Sequence, residues 1–78
     1  MNEYEVIARL KEHLKAKRMD KGFVTTKDML WCRTYIQDFL RYNRNKAAWF
    51  LEEKVLECSR EEYLKKWGNH YARKKKSA

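Results

Sequence analysis

The chain has 78 residues, with 19 Lys plus Arg against 11 Asp plus Glu and a formal net charge of +8. That length makes one domain, and 11 aromatics supply core material that disordered chains lack. No apolar run approaches the roughly 18 residues of a membrane span, the acidic opening Met1-Asn2-Glu3-Tyr4-Glu5 is unlike a secretory signal, and two Cys cannot build a disulfide framework, so an intracellular location (cytoplasm, or nucleus if eukaryotic) is expected.

With no Pro and two Gly, little in the chain breaks a helix, and strong helix formers are frequent. No stretch alternates with period two, and no Asn-Gly or Asp-Gly turn occurs. The expectation is an all-α bundle of about four helices over residues 1–72, followed by a basic flexible tail over 73–78. The first helix runs from about Asn2 to Met19, with Val6, Ile7, Leu10 and Leu14 as its apolar stripe. Gly22 caps it, because Gly takes the left-handed conformation freely. Arg9, Lys11, Lys15, Lys17 and Arg18 lie opposite the stripe, an arrangement interfacial helices share with any core-facing helix, and no membrane role is assigned.

The second helix begins at Thr26 with Thr25 as N-cap and Asp28 three residues on, near the positive end of the dipole. Val24 and Met29 have the spacing of a hydrophobic staple. An unbroken helix to about Asn43 carries Met29, Cys32, Ile36, Phe39 and Leu40 on its core side. Thr25-Thr26-Lys27-Asp28-Met29-Leu30 resembles the opening of a helix-turn-helix, and Thr34 to Leu40 resembles its recognition helix. The similarity covers about 16 residues and fails at the turn, where Trp31-Cys32-Arg33 replaces a longer, Gly-containing segment. A shortened winged helix-turn-helix, an α+β fold, is therefore the alternative to the unbroken helix.

The third helix starts after Asn45 and reaches about Glu57. Ala48, Leu51, Val55 and Cys58 form its stripe, widened by Trp49, Phe50 and Leu56. Residues 47–51 read equally as a short buried strand. Ser59 and Glu62 match a capping box and open the fourth helix, whose inward face is Tyr63, Leu64, Trp67 and Tyr71 and whose end is at Gly68-Asn69.

Charge is segregated along the chain. Residues 1–8 carry two acids and no base, residues 9–46 eleven bases and four acids, residues 47–62 two bases and five acids, and residues 63–78 six bases and no acid. Such a pattern suits a polyanion, because neutralising phosphates releases counterions. Within an unbroken second helix, Arg33, Gln37, Arg41 and Arg44 fall in one quadrant of roughly 80°. Arg forks onto phosphate or guanine, and Gln pairs with adenine. Lys15, Lys17, Arg18, Lys46 and the tail's Arg73, Lys74, Lys75 and Lys76 are the further candidate phosphate contacts. Trp31, Tyr35 and Tyr42 fall opposite the core stripe, where they either pack on a second layer or stack on a partner.

Catalytic chemistry is not indicated. His13, His70, Cys32 and Cys58 lack the close ligand pairs of a metal site, and both Cys lie on core stripes. No phosphate-cradling Gly loop or nucleophile elbow is present, so neither enzyme activity nor a cofactor is expected. Two functions follow from the residues. The first is a non-catalytic nucleic-acid-binding protein in a regulatory or accessory role, with DNA favoured over RNA, duplex DNA foremost, and a homodimer compatible with two-fold sites. The second is an adaptor or inhibitor docking on an acidic protein surface, with Trp31, Tyr35 and Tyr42 as anchors.

Overall fold

The computed structural model describes residues 1–68 and is all-helical, in the order α1 (Glu3–Lys21), α2 (Thr26–Leu40), α3 (Arg44–Phe50), a π-helical continuation of α3 (Leu51–Leu56), and α4 (Arg60–Trp67). The winged alternative fails on two counts: α2 runs unbroken through Trp31-Cys32-Arg33, and residues 47–51 are helical.

Each helix begins where a side chain can satisfy its first free amides. Asn2 accepts from the Glu5 amide at 2.9 Å. Thr25 and Asp28 form a full capping box: the Asp28 amide donates to Thr25 Oγ1 at 3.2 Å and the Thr25 amide donates to Asp28 Oδ2 at 2.7 Å. Asn43, two residues earlier than expected, accepts from the Lys46 amide at 2.7 Å and starts α3. At α4 the Ser59 hydroxyl accepts from the Glu62 amide at 3.1 Å, which is one half of the box expected there. Gly22, at φ 81°, ends α1 with its amide on the Arg18 carbonyl. No Gly is present at the end of α2. Arg41 takes the left-handed conformation instead, at φ 59°, and stops the helix three residues short of Asn43.

One core joins all the elements. Val6, Leu10 and Leu14 of α1 meet Met29, Cys32 and Ile36 of α2, Ala47 and Phe50 of α3, Leu51, Val55 and Leu56 of the π segment, and Tyr63 of α4. Val24 and Met29, the staple pair, are both buried in it. The wider turn of the π segment brings Leu51, Val55 and Leu56 inward together. Of the expected core residues, Ile7, Leu40, Cys58, Leu64 and Trp67 pack partly buried at its edge, and three depart further. Phe39 and Trp49 are about half exposed, at 47% and 49%, and Ala47 replaces Ala48 as the fully buried alanine. The Val24 amide donates to the Trp67 carbonyl at 2.7 Å, which ties the α1–α2 loop to the end of α4. A Cβ at Gly68 would collide with the Leu64 carbonyl oxygen, so only Gly fits at that tie.

Candidate nucleic-acid interface

The core stripe of α1 divides the helix into two flanks with different chemistry. At about 100° per residue, Lys11, Lys15 and Arg18 fall on one flank and Arg9, His13 and Ala16 on the other. The first flank faces α4. Lys11, Lys15 and Arg18 line a cleft of about 390 Å³ together with Lys66, Tyr63 and Trp67. Among the described residues Glu57 is the one carboxylate lining it, and it pairs with Lys11 at 3.7 Å.

Arg18 organises the cleft. Its Nη1 donates to the Tyr63 hydroxyl at 2.9 Å, and its guanidinium lies 4.6 Å from the Trp67 ring centroid and 5.9 Å from that of Tyr63. Arg18 follows Val6, Leu10 and Leu14 at four-residue intervals, so it continues the core stripe to the point where α4 crosses. A planar cation that donates to one ring's hydroxyl and lies beside a second ring has its remaining donors oriented. Tyr63 has its hydroxyl pushed above its usual range, chiefly by burial. Lys66 stands 5.3 Å from the Trp67 centroid on the same side of α4. Chemically, the cleft is a cationic trough with an aromatic floor, suited to an oxyanion attached to something flat or apolar.

The second flank of α1 faces α2, where Arg9, Glu12 and His13 of α1 stand beside Trp31 and Tyr35 of α2. His13 stacks on Trp31, with centroids 4.0 Å apart and planes inclined by 17°. Trp31 continues to Tyr35 at 5.3 Å, and Tyr35 to Phe39 at 4.5 Å. The Tyr35 hydroxyl donates to the Met1 sulfur at 3.4 Å. The His13 imidazole is held below its ordinary value, first by burial and then by Lys17, while Asp28 acts in the opposite direction.

The residues singled out from the sequence are thus dispersed. Lys15 and Arg18 enter the cleft; Lys17 lies on the His13 side of α1 and does not line it. The ridge of Arg33, Gln37, Arg41 and Arg44 does not form, because it required α2 to continue past Leu40. Arg33 and Gln37 are half-buried on α2, Arg41 is the left-handed cap, and Arg44 opens α3. Arg41, Arg44 and Lys46 remain exposed around the α2–α3 turn, with the Lys46 ammonium 4.2 Å from the Tyr42 centroid.

The aromatic set also divides. Trp31 is 46% exposed, whereas Tyr42 packs edge-on against Phe50 at 5.6 Å and donates its hydroxyl to Glu3 at 2.8 Å. Tyr42 therefore pins the α2–α3 turn to the start of α1 and is not a surface anchor. Trp31 and Arg33 lie about 160° apart around α2, so rings and guanidinium do not interleave on one face. Arg73, Lys74, Lys75 and Lys76, with Tyr71 and His70, fall outside the described residues.

Lys11 and Lys66 are the cleft cations that the sequence reading did not place at the site, and Tyr63 and Trp67, its aromatic floor, were read as core. The signal for Lys11 was present: Lys11, Lys15 and Arg18 are spaced four and three residues apart and share a helix face. Lys66 carried no such signal, because its neighbours come from α1, more than forty residues away. Two side-chain ion pairs form among the described residues, Lys11–Glu57 and Arg60–Glu52. No helix among them is long and apolar enough to cross a membrane. No family model, curated protein or solved structure matches the chain.

Proposed function

We propose that this protein binds nucleic acid, duplex DNA foremost, as a non-catalytic regulatory or accessory factor, and that the α1–α4 cleft is where it holds phosphate. The observation that carries this reading is the meeting of Lys11, Lys15, Arg18 and Lys66 in one cleft, where Glu57, the one carboxylate among the described lining residues, pairs with Lys11 and leaves Lys15, Arg18 and Lys66 without an ion-pair partner among the described residues. A second observation supports it. The chain leaves α4 at Gly68, immediately after the cleft residue Trp67, and its sequence then supplies Arg73, Lys74, Lys75 and Lys76. Phosphate contacts position a protein on the duplex without reading bases, so the cleft accounts for affinity, and the exposed Arg41, Arg44 and Lys46 are the groups left to reach a groove.

The same cations suit an acidic protein surface, which is the competing reading. Salt separates the two. Duplex DNA binding should weaken as salt rises, with a log–log slope of about −0.9 per phosphate neutralised; single-stranded DNA and RNA titrated in parallel should bind more weakly, with single strands giving a slope nearer about −0.7. A flat response, or no binding at low salt, would remove the nucleic-acid reading. A one-to-one protein complex with only sequence-indifferent DNA binding would establish the other.

A further inference from the structure

We infer that the outer face of α2 is a self-association surface, on which two copies of this chain pair their α2 helices antiparallel about a two-fold axis. The outward residues of α2 are Lys27, Trp31, Thr34 and Asp38, all exposed, which recur at intervals of four, three and four and lie within about 60° of one another on the helix. Beside them runs the ladder of His13, Trp31, Tyr35 and Phe39, three of whose rings belong to successive turns of α2. Trp31 and Phe39 are exposed and His13 and Tyr35 partly so, and an aromatic row open to solvent in this way is the kind of surface that marks an interface.

Charge decides the occupant. The chain as a whole carries +8, yet this face is balanced: Lys27 and Arg9 stand with Asp38 and Glu12. It is not a surface for phosphate, and it is one on which two basic chains can approach. Lys27 and Asp38 are also on the wrong ends of their own helix. Lys27 sits in the first turn of α2 and Asp38 in the last, where each opposes the helix dipole, and neither forms an ion pair among the described residues.

A two-fold axis passing between residues 32 and 33 corrects both faults at once. It sets Lys27 of one copy against Asp38 of the other, twice, and places each charge beside the favourable end of the partner's helix. Trp31 then lies against Thr34 of the second copy, near the axis. Parallel pairing would instead oppose lysine to lysine and aspartate to aspartate. The interface is isologous, as a closed dimer requires. It leaves the cationic cleft open on each copy, because that cleft lies on the other flank of α1.

The test is sedimentation by analytical ultracentrifugation of the full chain in about 0.15 M salt, which screens the mutual repulsion of two +8 chains beyond about 8 Å, from about 1 μM to about 1 mM, the weak end of the affinities that small interfaces reach. The parent should pass from monomer to dimer within that range. K27D and D38K should each weaken self-association by about tenfold or more, because two symmetry-related attractions become repulsions. Neither should unfold the chain, since each puts a charge of the favourable sign at its own helix end. Mixing K27D with D38K in equal amounts should restore association, because every facing pair is then of opposite sign. A parent that stays monomeric throughout overturns the inference, as do single variants that associate like the parent or a mixture no tighter than its components. A monomeric parent, together with a Trp49→Phe/Trp67→Phe variant whose one remaining tryptophan, Trp31, changes fluorescence on adding single-stranded oligonucleotide, would overturn the inference and assign the ladder to base stacking.

Discussion

His13 shows how one side chain reports on its neighbourhood. Its ring lies flat on Trp31, and the surrounding protein together with Lys17 disfavours the imidazolium, against a smaller opposing effect of Asp28. The fold therefore holds its pKa below the ordinary 6.5. The unfolded chain takes up the proton first as pH falls, so the stability His13 contributes is complete above that value and declines as pH drops through it toward the folded value. An NMR titration of the ring should give a midpoint below 6.5, and thermal stability should fall over the same interval. A midpoint at or above the ordinary value would mean that stacking does not shield the ring. The two cysteines show the same effect of burial on a different group. Cys32 is fully buried, and its thiol is pushed up to about 12, chiefly by burial with a further push from Asp28. Cys58, at the rim of the cleft, is raised too, again mainly by burial. Both behave as small hydrophobes rather than nucleophiles.

Helix ends decide how the elements are placed. Left-handed backbone costs an L residue about 1–2 kcal/mol, and two non-glycine residues among those described adopt it: Arg41 after α2 and Glu57 after the π segment. Arg41→Gly should stabilise the fold by up to about 1 kcal/mol in a urea melt, the relief of strain being partly offset by the greater chain entropy of Gly. Arg41→Ala keeps the Cβ and should bring no gain. Equal stabilities for the two would show that the cap is unstrained. The same residue marks the limit of what the sequence makes legible. Gly22, Thr25 with Asp28, and Ser59 are local signals, and each stands at the terminus it implies. An Arg in a left-handed cap carries no such signal, so α2 appears longer in the sequence than it is, and the Arg33–Arg44 ridge depends on that extra length. Phe39 and Trp49 are misplaced for a related reason. Helical period assigns a side, but only the crossing of a neighbouring helix determines how far round the burial extends. The helical fold was therefore readable from composition and caps. The cleft was half readable, through the Lys11, Lys15, Arg18 spacing, because its other wall comes from α4.

At the scale of the whole molecule, the fold sorts its surface by the flanks of α1. One flank joins α4 in a cationic cleft with an aromatic floor; the other joins α2 in a row of rings edged by balanced charge. Arg18 contributes to the fold and to the cleft together, since the contact that clamps α4 to α1 also orients its guanidinium. Phosphate held in this cleft differs measurably from phosphate held by net charge spread over the surface, and the proposed binding is of the first kind. It is tested most directly by the salt dependence of duplex DNA binding for a Lys15→Ala/Lys66→Ala double variant beside Lys54→Ala, a lysine that does not line the cleft. The double variant should reduce the slope by about 2 and weaken binding at low salt, while Lys54→Ala leaves the slope near its parent value. Equal, small effects per lysine removed would contradict the account and leave only diffuse attraction.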